Sequence, residues 1–347
     1  YNCFKLSLGT ASSHGHYIQE LYRLAIDGPF VNGNGSVRTE SIIHRYVDDI
    51  VMRTGPLARR LKVVVDCGNG VGALVAPKLF DRLNVEWTGL FCESDGTFPN
   101  HHPDPTVVKN LQDLIAKVRS TGADLGVAFD GDADRIGAVD EHGNIVWGDH
   151  VLMLYARDVL ARTGPEQPII FDVKCSQALP DEILKAHGVP VMWKTGHSLM
   201  KDKMREMNAP VAGEMSGHMF FTEGFYGHDD ALYGAARLIR IVAASGTSFS
   251  GMLTDVPKFV STPELRVDVE ESRKFAIVHD AIAHFRKSHE VIDVDGARVL
   301  FGDGWGLIRA SNTQPVLVLR FEARSAERLT AIRGEMEDWL RAQGVST

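Results

Sequence analysis

Three aspartates alternate along one short stretch of this sequence, GVAFDGDADRIG at residues 126–137. Asp130, Asp132 and Asp134 follow an apolar run, which places them where a buried strand runs into a loop. At this spacing three oxygen ligands can converge on one small cation, and Mg²⁺ prefers such ligands. Without a cation, three crowded carboxylates would repel one another. Arg135 stands beside them and is expected to hold a phosphate or to stabilise one during transfer.

Two other interpretations of this aspartate loop are open. An EF-hand loop also begins with alternating aspartates, and Glu141 falls at its twelfth position. Against it, Arg135 stands at the sixth position, where that loop requires glycine, and IGAVD (residues 136–140) has the pattern of a strand. A phosphatase-type loop would use Asp130, the first aspartate after the strand, as a nucleophile, and the spacing does not exclude it.

The stretch GEMSGH, residues 213–218, predicts a binding site for sugar hydroxyls. Glu214 and Ser216 lie two residues apart, so both side chains face one ligand if the loop is extended. A carboxylate paired with a hydroxyl suits vicinal hydroxyls, and His218 can act as a general acid or base. The alternative is a glycine-bounded turn without a function.

The stretch RASNTQP, residues 309–315, predicts an anion site between two apolar strands. Arg309 offers a bidentate fork, while Ser311, Asn312 and Thr313 offer side-chain donors and a run of backbone N–H groups. The alternative is a hydrophilic hairpin turn, because Asn, Thr and Pro favour turns.

Lys174 and His197 are further candidates, because FDVK and WKTGHS end predicted strands, where open α/β sheets bind their ligands. GNGVG, residues 68–72, resembles a nucleotide-binding loop only weakly and is interpreted as a tight strand-to-helix turn. PNHHPDP, residues 99–105, is interpreted as a rigid proline-rich loop rather than a metal site.

Alternating strands and helices would position these residues. Apolar runs and helical periodicity alternate from residue 61 to residue 245, which predicts tandem α/β domains with parallel or mixed sheets. After Pro263 strands dominate, with helices expected at 271–288 and 325–342, which predicts a smaller α+β domain. Two helices expected at 13–27 and 40–53 have too few strands around them to close a core.

Composition excludes several classes of protein. The net charge of −8 and the absence of a Lys/Arg run argue against a nucleic-acid partner. No apolar run is long enough for a transmembrane helix, so no membrane association is expected. The four cysteines are scattered without a C-x-x-C pair, which suits neither a zinc site nor a disulfide framework and indicates a reducing, cytoplasmic location.

Taken together, GDADR, GEMSGH and RASNTQP resemble the metal, sugar and phosphate loops of the α-D-phosphohexomutase superfamily. With VVVDCGNG and FPNHHPDP, the sequence is most similar to the bacterial phosphomannomutase/phosphoglucomutase branch, from Tyr1 to about Leu340. Two positions depart from the usual pattern, since Ala133 and Cys3 replace glycines. The alanine should be tolerated unless its position needs a positive φ.

A larger departure concerns the phosphoserine loop. In that family a T-[AG]-S-H-N-P loop precedes a Y-N-G-x-K motif, and Tyr1–Lys5 already resembles the latter. The loop is therefore expected upstream of residue 1, together with most of the first α/β domain. The predicted division is a remnant of that domain at 1–45, an α/β domain with the metal loop at 46–148, one with the sugar loop at 149–258, and an α+β domain with the phosphate loop at 259–347.

TASSHGHY, residues 10–17, imitates the phosphoserine loop but follows the Y-N-x-x-K motif and lacks Asn-Pro. An apolar helical face begins at Tyr17. Ser12 or Ser13 is therefore expected to be the N-cap of a helix rather than a nucleophile.

The resemblance implies a mechanism. A Mg²⁺-bound phosphoserine would pass its phosphate to a mannose or glucose 1- or 6-phosphate, through a 1,6-bisphosphate. Asp130, Asp132 and Asp134 would hold the cation and Arg135 the transferring group. Glu214 and Ser216 would bind the 3- and 4-hydroxyls, and the arginine loop at 309–313 the other phosphate. Lys174, His197 and His218 are candidates for proton transfer or phosphate contact. A non-enzymatic sugar-phosphate-binding module and an aspartate-nucleophile phosphatase are the alternatives.

Overall fold

Residues 5–9 and 11–42 make up a largely exposed N-terminal segment. The structure, a computed structural model, describes residues 5–9, 11–312 and 314–347. Strands β1 (Ser7–Leu8) and β2 (Ala11–Ser12) pair antiparallel and precede helix α1 (His16–Asp27). No residue of α1 is buried, and residues 29–42 are exposed and lack regular secondary structure. The expected helix is present, but its apolar face packs on little of the described chain.

The expectation that Ser12 or Ser13 caps α1 is wrong. Gly15, with φ of 58°, occupies the N-cap position, and no side chain caps the helix. Ser12 lies in β2, and the Ser13 N–H donates to the Leu6 carbonyl at 2.8 Å. The two serines therefore belong to the ribbon, and the chain enters the helix through a glycine in the left-handed region.

The next unit is a five-stranded mixed sheet in the order β4-β3-β5-β6-β7. The inner strands β3 and β5 are apolar because helices cover the sheet. Strand β3 is parallel to β4 and β5, whereas β5, β6 and β7 are antiparallel. The elements are α2 (Ile43–Thr54), β3 (Lys62–Asp66), α3 (Ala76–Phe80), β4 (Glu86–Leu90), α4 (Gln112–Thr121), β5 (Leu125–Phe129), β6 (Ile136–Asp140) and β7 (Ile145–Val146), with 3₁₀ turns at Val71–Leu74 and Val108–Leu111.

A four-stranded sheet in the order β11-β10-β8-β9 follows. Strand β8 is parallel to β9 and β10, and β11 is antiparallel to β10. Its apolar residues share one continuous core with the preceding sheet, from Val47 to Val256. The elements are α5 (Gly148–Thr163), β8 (Pro168–Asp172), α6 (Ala178–Lys185), β9 (Val189–Trp193), α7 (His197–Met207), β10 (Val211–Gly213), β11 (Met219–Phe221) and α8 (Ala231–Ala244), with a 3₁₀ turn at Ser250–Leu253.

The C-terminal unit has a core of its own beneath a six-stranded antiparallel sheet. The order is β12-β17-β16-β15-β14, and β13 also pairs with β17. The elements are β12 (Val260–Ser261), β13 (Leu265–Asp268), α9 (Lys274–Phe285), β14 (Glu290–Ile292), β15 (Ala297–Leu300), β16 (Gly304–Ala310), β17 (Val316–Ala323) and α10 (Ala326–Ala342).

The predicted fold class, tandem α/β domains with a smaller C-terminal α+β domain, is confirmed by these three sheets. The predicted division at residues 45, 148 and 258 stays a prediction. Over the described residues, no helix combines the length and the apolar character that crossing a bilayer demands.

Candidate active site

The aspartate loop is the turn between β5 and β6. Asp130, Asp132 and Asp134 bring carboxylate oxygens within 4.8 Å of one another. The backbone N–H groups of Asp134 and Arg135 both donate to Asp130 Oδ1 at 3.1 Å, and Arg135 Nε donates to Asp130 Oδ2 at 2.8 Å. Burial raises the pKa of Asp130 to about 6, with Arg135 opposing the rise. A divalent cation would relieve this crowding.

The shape of this loop excludes the EF-hand interpretation. An antiparallel strand, not a helix, follows the aspartates, and it pairs Phe129 with Ile136. Ala133 has φ of 60°, so the position does need the left-handed conformation, which costs alanine about 1 kcal/mol. The hydrogen bonds to Asp130 therefore hold the loop against a local strain.

His218 connects the aspartate loop to GEMSGH. Its Nε2 lies 3.3 Å from Asp134 Oδ1 and its Nδ1 lies 3.2 Å from Glu214 Oε2. Burial opposes the charged ring, but the two carboxylates outweigh it and raise the pKa of His218 to about 10. The backbones meet as well, because the Ile136 N–H donates to the Gly217 carbonyl at 3.1 Å.

Glu214 is the central carboxylate of the GEMSGH loop. Its Oε1 accepts the Gly196 N–H at 2.8 Å, and its Oε2 accepts the Ser216 hydroxyl at 3.1 Å. Burial would raise its pKa, but His218 and then Lys174 lower it to about 2. Glu214 and Ser216 thus face the same space, as their spacing predicts.

RASNTQP is the hairpin between β16 and β17. Arg309 is buried, and its Nε donates to Asp295 Oδ2 at 2.6 Å. No other polar partner of Arg309 exists among the described residues, so its terminal nitrogens can meet an anion. Ser311 is buried, Asn312 is exposed, and Thr313 lies outside the described residues.

Lys174 lies just after β8 and is buried. Its Nζ is 3.2 Å from Glu264 Oε2 and 3.7 Å from Asp172 Oδ2, and these carboxylates raise its pKa against the effect of burial. Arg298 fixes the same turn, because its Nη1 donates to the carbonyls of Val173 at 2.6 Å and of Cys175 at 2.8 Å.

His197 is the first residue of α7. Its ring stacks 6.3 Å from that of His218, centroid to centroid. Its Nδ1 is buried, has no hydrogen-bond partner within the described chain, and lies 3.9 Å from Asp229. Burial lowers the pKa of His197, so this ring is neutral at physiological pH, unlike His218.

Sequence reasoning missed several charged residues of this region. Lys5 forms ion pairs with Asp134 and, at 3.2 Å, with Asp229, and Lys201 lies 3.4 Å from Asp229. Asp134, His218 and Asp229 form a second group that could hold a metal. The signals available were the Y-N-x-x-K motif for Lys5 and the HDD stretch at 228–230 for Asp229.

Asp295 was missed too, and it joins the remaining loops. Its Oδ2 accepts the Thr195 N–H at 2.9 Å as well as Arg309. The next residue, Gly196, donates to Glu214. A continuous set of contacts, here called the binding ladder, therefore joins the three predicted loops. Its members are Arg309, Asp295, the Thr195–Gly196 backbone, Glu214, His218 and Asp134.

A cation-binding carboxylate loop, a hydroxyl-facing loop and an anion-facing arginine loop thus meet across α/β units, which is the arrangement of a phosphotransfer enzyme acting on sugar phosphates. Comparisons with known proteins agree. Phosphoglucomutase/phosphomannomutase family models match at residues 44–143 (alpha/beta/alpha domain II), 147–259 (alpha/beta/alpha domain III) and 264–338 (C-terminal domain). The chain belongs to this family of hexose phosphate mutases.

Similar proteins come from several bacteria. A phosphomannomutase/phosphoglucomutase of Pseudomonas syringae pv. tomato is 47% identical over 340 residues, covering 96% of this chain and 72% of the relative. A phosphoglucomutase of Neisseria meningitidis is 46% identical, covering 97% and 74%. The crystal structure of a phosphoglucomutase/phosphomannomutase family protein from Burkholderia thailandensis superimposes with a TM-score of 0.86 at 45% identity, covering 96% and 71%.

Proposed function

We propose that this chain binds the substrate and the cation for interconversion of hexose 1-phosphate and hexose 6-phosphate, of mannose, glucose or both. The observation that carries the proposal is the binding ladder, which joins the loops for phosphate, hydroxyls and cation. Glu214 and Ser216 bind the 3- and 4-hydroxyls in either orientation of the sugar. Arg309, Ser311, Asn312 and Thr313 bind the phosphate that is not reacting.

The donor set at Asp130, Asp132 and Asp134 suits Mg²⁺, because it offers carboxylate oxygens close together at a buried strand end. When bound there, Mg²⁺ neutralises charge on the phosphoryl group in transfer. Arg135 supports the same group, since Asp130 and Asp104 hold its guanidinium in place, the latter at 3.2 Å.

The phosphoryl group passes from a serine phosphate to the free sugar hydroxyl, which gives up its proton. The 1,6-bisphosphate turns over and returns its other phosphate to the serine. No T-x-S-H-N-P stretch occurs in residues 1–347, and we propose that the serine is supplied from outside them. His218, which lies between Asp134 and Glu214, and His197, whose ring stacks on that of His218, are the candidates for proton transfer. Lys174 contributes positive charge toward the phosphate. The cytoplasmic location stays a prediction.

Asp130 is a poor nucleophile in this geometry. One carboxylate oxygen accepts two backbone N–H groups and the other accepts Arg135. An attacking carboxylate would have to give up one of these bonds. The phosphatase interpretation is therefore disfavoured, and Asp130→Asn retaining full phosphate hydrolysis would exclude it.

Calorimetric titration of residues 1–347 with glucose 1-phosphate, in Mg²⁺, tests the binding half of the proposal. Arg309→Met should weaken binding at least about tenfold, because a charged hydrogen-bond donor is lost. Arg286→Met, on the exposed side of the same unit, is the matched control and should bind normally. Equal affinity in the two variants would contradict the proposal.

A turnover assay tests the chemistry. Residues 1–347 are incubated with glucose 1-phosphate and a trace of glucose 1,6-bisphosphate, and glucose 6-phosphate is measured. We expect turnover only when a polypeptide carrying the serine loop is present. Turnover by residues 1–347 alone would show that a group within them carries the phosphate. Binding without turnover, with or without the polypeptide that carries the serine loop, would favour a non-enzymatic sugar-phosphate-binding module.

A further inference from the structure

Two cysteines outside the candidate active site lie in contact. Cys67 follows β3 and Cys92 follows β4, and their sulfur atoms are 3.4 Å apart. The strands pair in parallel, and the Cys67 N–H donates to the Leu90 carbonyl at 3.0 Å.

An unusual backbone turn brings Cys92 back to Cys67. Phe91 has φ of 50°, which a bulky residue rarely adopts. The turn is held because the Asn69 N–H donates to the Phe91 carbonyl at 3.0 Å and the Asn69 side chain donates to the Glu93 carbonyl at 2.8 Å. The two sulfurs are therefore kept together by the backbones on both sides.

The two thiols differ in access and in acidity. Cys67 is fully buried, and Cys92 is partly exposed. The sulfur contact with Cys67 lowers the pKa of Cys92, whereas the contact with Cys92 and burial raise the pKa of Cys67. An oxidant from solvent thus meets the more acidic thiol first.

We propose that Cys67 and Cys92 form a dithiol that peroxides convert into a disulfide. The Cys92 thiolate attacks the peroxide, so an S–O bond forms, the O–O bond breaks and hydroxide (or alkoxide) leaves. The Cys67 sulfur then attacks the Cys92 sulfenic acid, so the S–S bond forms, the S–O bond breaks and the oxygen leaves as water with the Cys67 proton. A thiol reductant restores both thiols by exchange.

The turn after Cys67 transmits this change to the aspartate loop. The Val71 N–H donates to the Gly131 carbonyl at 3.0 Å. Gly70 lies so close that a Cβ there would be 2.9 Å from the same carbonyl oxygen. Closing the sulfur separation to about 2.05 Å moves a turn that rests directly on Gly131, between Asp130 and Asp132.

The test uses residues 1–347 with Cys3→Ser, which leaves three cysteines, Cys67, Cys92 and Cys175. After treatment with hydrogen peroxide, thiols are counted in denaturant and peptides are mapped without reduction. We expect the thiol count to fall from three to one, with a Cys67–Cys92 linked peptide. Oxidised protein in which Cys92 becomes a sulfinic acid while Cys67 stays a free thiol would overturn the proposal, as would three unchanged thiols.

Cys175→Ser is the matched control, because Cys175 is fully buried and its sulfur lies 3.1 Å from Asp172 Oδ1. This variant should still form the link, and Cys92→Ser should not. Mg²⁺ titration is a second readout that rests on the proposed function. Oxidation should weaken Mg²⁺ binding roughly tenfold, the scale seen when the support of metal ligands is disturbed. The linked peptide forms whether or not Mg²⁺ binds. Failure of the dithiol proposal can therefore be told apart from failure of the proposed Mg²⁺ site.

Discussion

His218 shows at the scale of one residue how the site is organised. The sequence suggests a general acid or base, because histidine ordinarily titrates near neutral pH. In the structure two carboxylates flank the ring and raise its pKa to about 10. The imidazolium therefore keeps its proton at neutral pH and stabilises Asp134 and Glu214 in their charged forms. Glu214 belongs to the same loop as His218, but no sequence pattern shows that Asp134 approaches the ring from the aspartate loop.

Asp132 offers the cleanest test of the cation site. Its side chain has no hydrogen-bond partner in the described part of the chain, unlike Asp130 and Asp134. Asp132→Asn should therefore weaken Mg²⁺ binding about tenfold or more while leaving the melting temperature unchanged. Asp338→Asn, on the exposed face of α10, is the control. Unchanged Mg²⁺ affinity in calorimetry would show that the cation does not bind this loop.

His101 predicts a pH dependence of stability. Its Nε2 lies 3.1 Å from buried Asp66 Oδ2, and this hydrogen bond raises the pKa of His101 above 6.5. The folded-state pKa exceeds the unfolded one, so the contribution is fully present below pH 6.5 and is lost as pH rises through the raised pKa. His101→Gln should lose about 1–2 kcal/mol of unfolding free energy at pH 5.5 and less at pH 9.

Urea unfolding at the two pH values measures this difference. His279→Gln, at an exposed position, is the control and should change stability equally at both. If His101→Gln loses the same unfolding free energy at pH 5.5 and at pH 9, the charged His101–Asp66 pair does not stabilise the fold as predicted.

At the scale of elements, the sequence predicts where strands end. It does not predict which side chains from different loops come into contact. The apolar runs locate β3, β5, β8 and β16, and the candidate residues Asp130, Lys174 and Ser311 follow the last three of these strands. Lys5, Asp229 and Asp295 escaped notice because their partners are distant in sequence; Lys5 and Asp229 are 224 residues apart. The N-cap at Gly15 was not predicted, because Ser12 and Ser13 are residue types that favour the N-cap position more strongly than glycine.

The contact between β15 and the turn after β8 gives a prediction at this scale. Arg298 is fully buried, stacks 3.7 Å from the Trp305 ring centre and donates to two carbonyls that flank Lys174. Arg298→Met would leave both carbonyls without this donor, and should cost about 2–3 kcal/mol in urea unfolding. Arg286→Met should stay within about 0.5 kcal/mol. Equal stability of Arg298→Met and Arg286→Met would contradict this role of the Arg298 side chain.

At the scale of the whole molecule, the N-terminal segment is largely exposed, although Lys5 and His14 form ion pairs with Asp134 and Asp202. Its helix α1 buries nothing, and residues 29–42 are exposed without regular structure. Limited trypsin digestion should therefore cut first after Arg38, whose side chain is 87% exposed. Mass spectrometry should show a fragment beginning at residue 39. First cleavage within the C-terminal sheet would contradict this prediction.

The binding ladder has a consequence for how the candidate active site holds its ligands. Its two ends, Arg309 and Asp134, belong to different units and are separated by four intervening groups. A ligand whose phosphate binds Arg309 places its reacting group beside the cation only if it spans the ladder. The ladder therefore sets the register between an anion held at Arg309 and a cation held at Asp134.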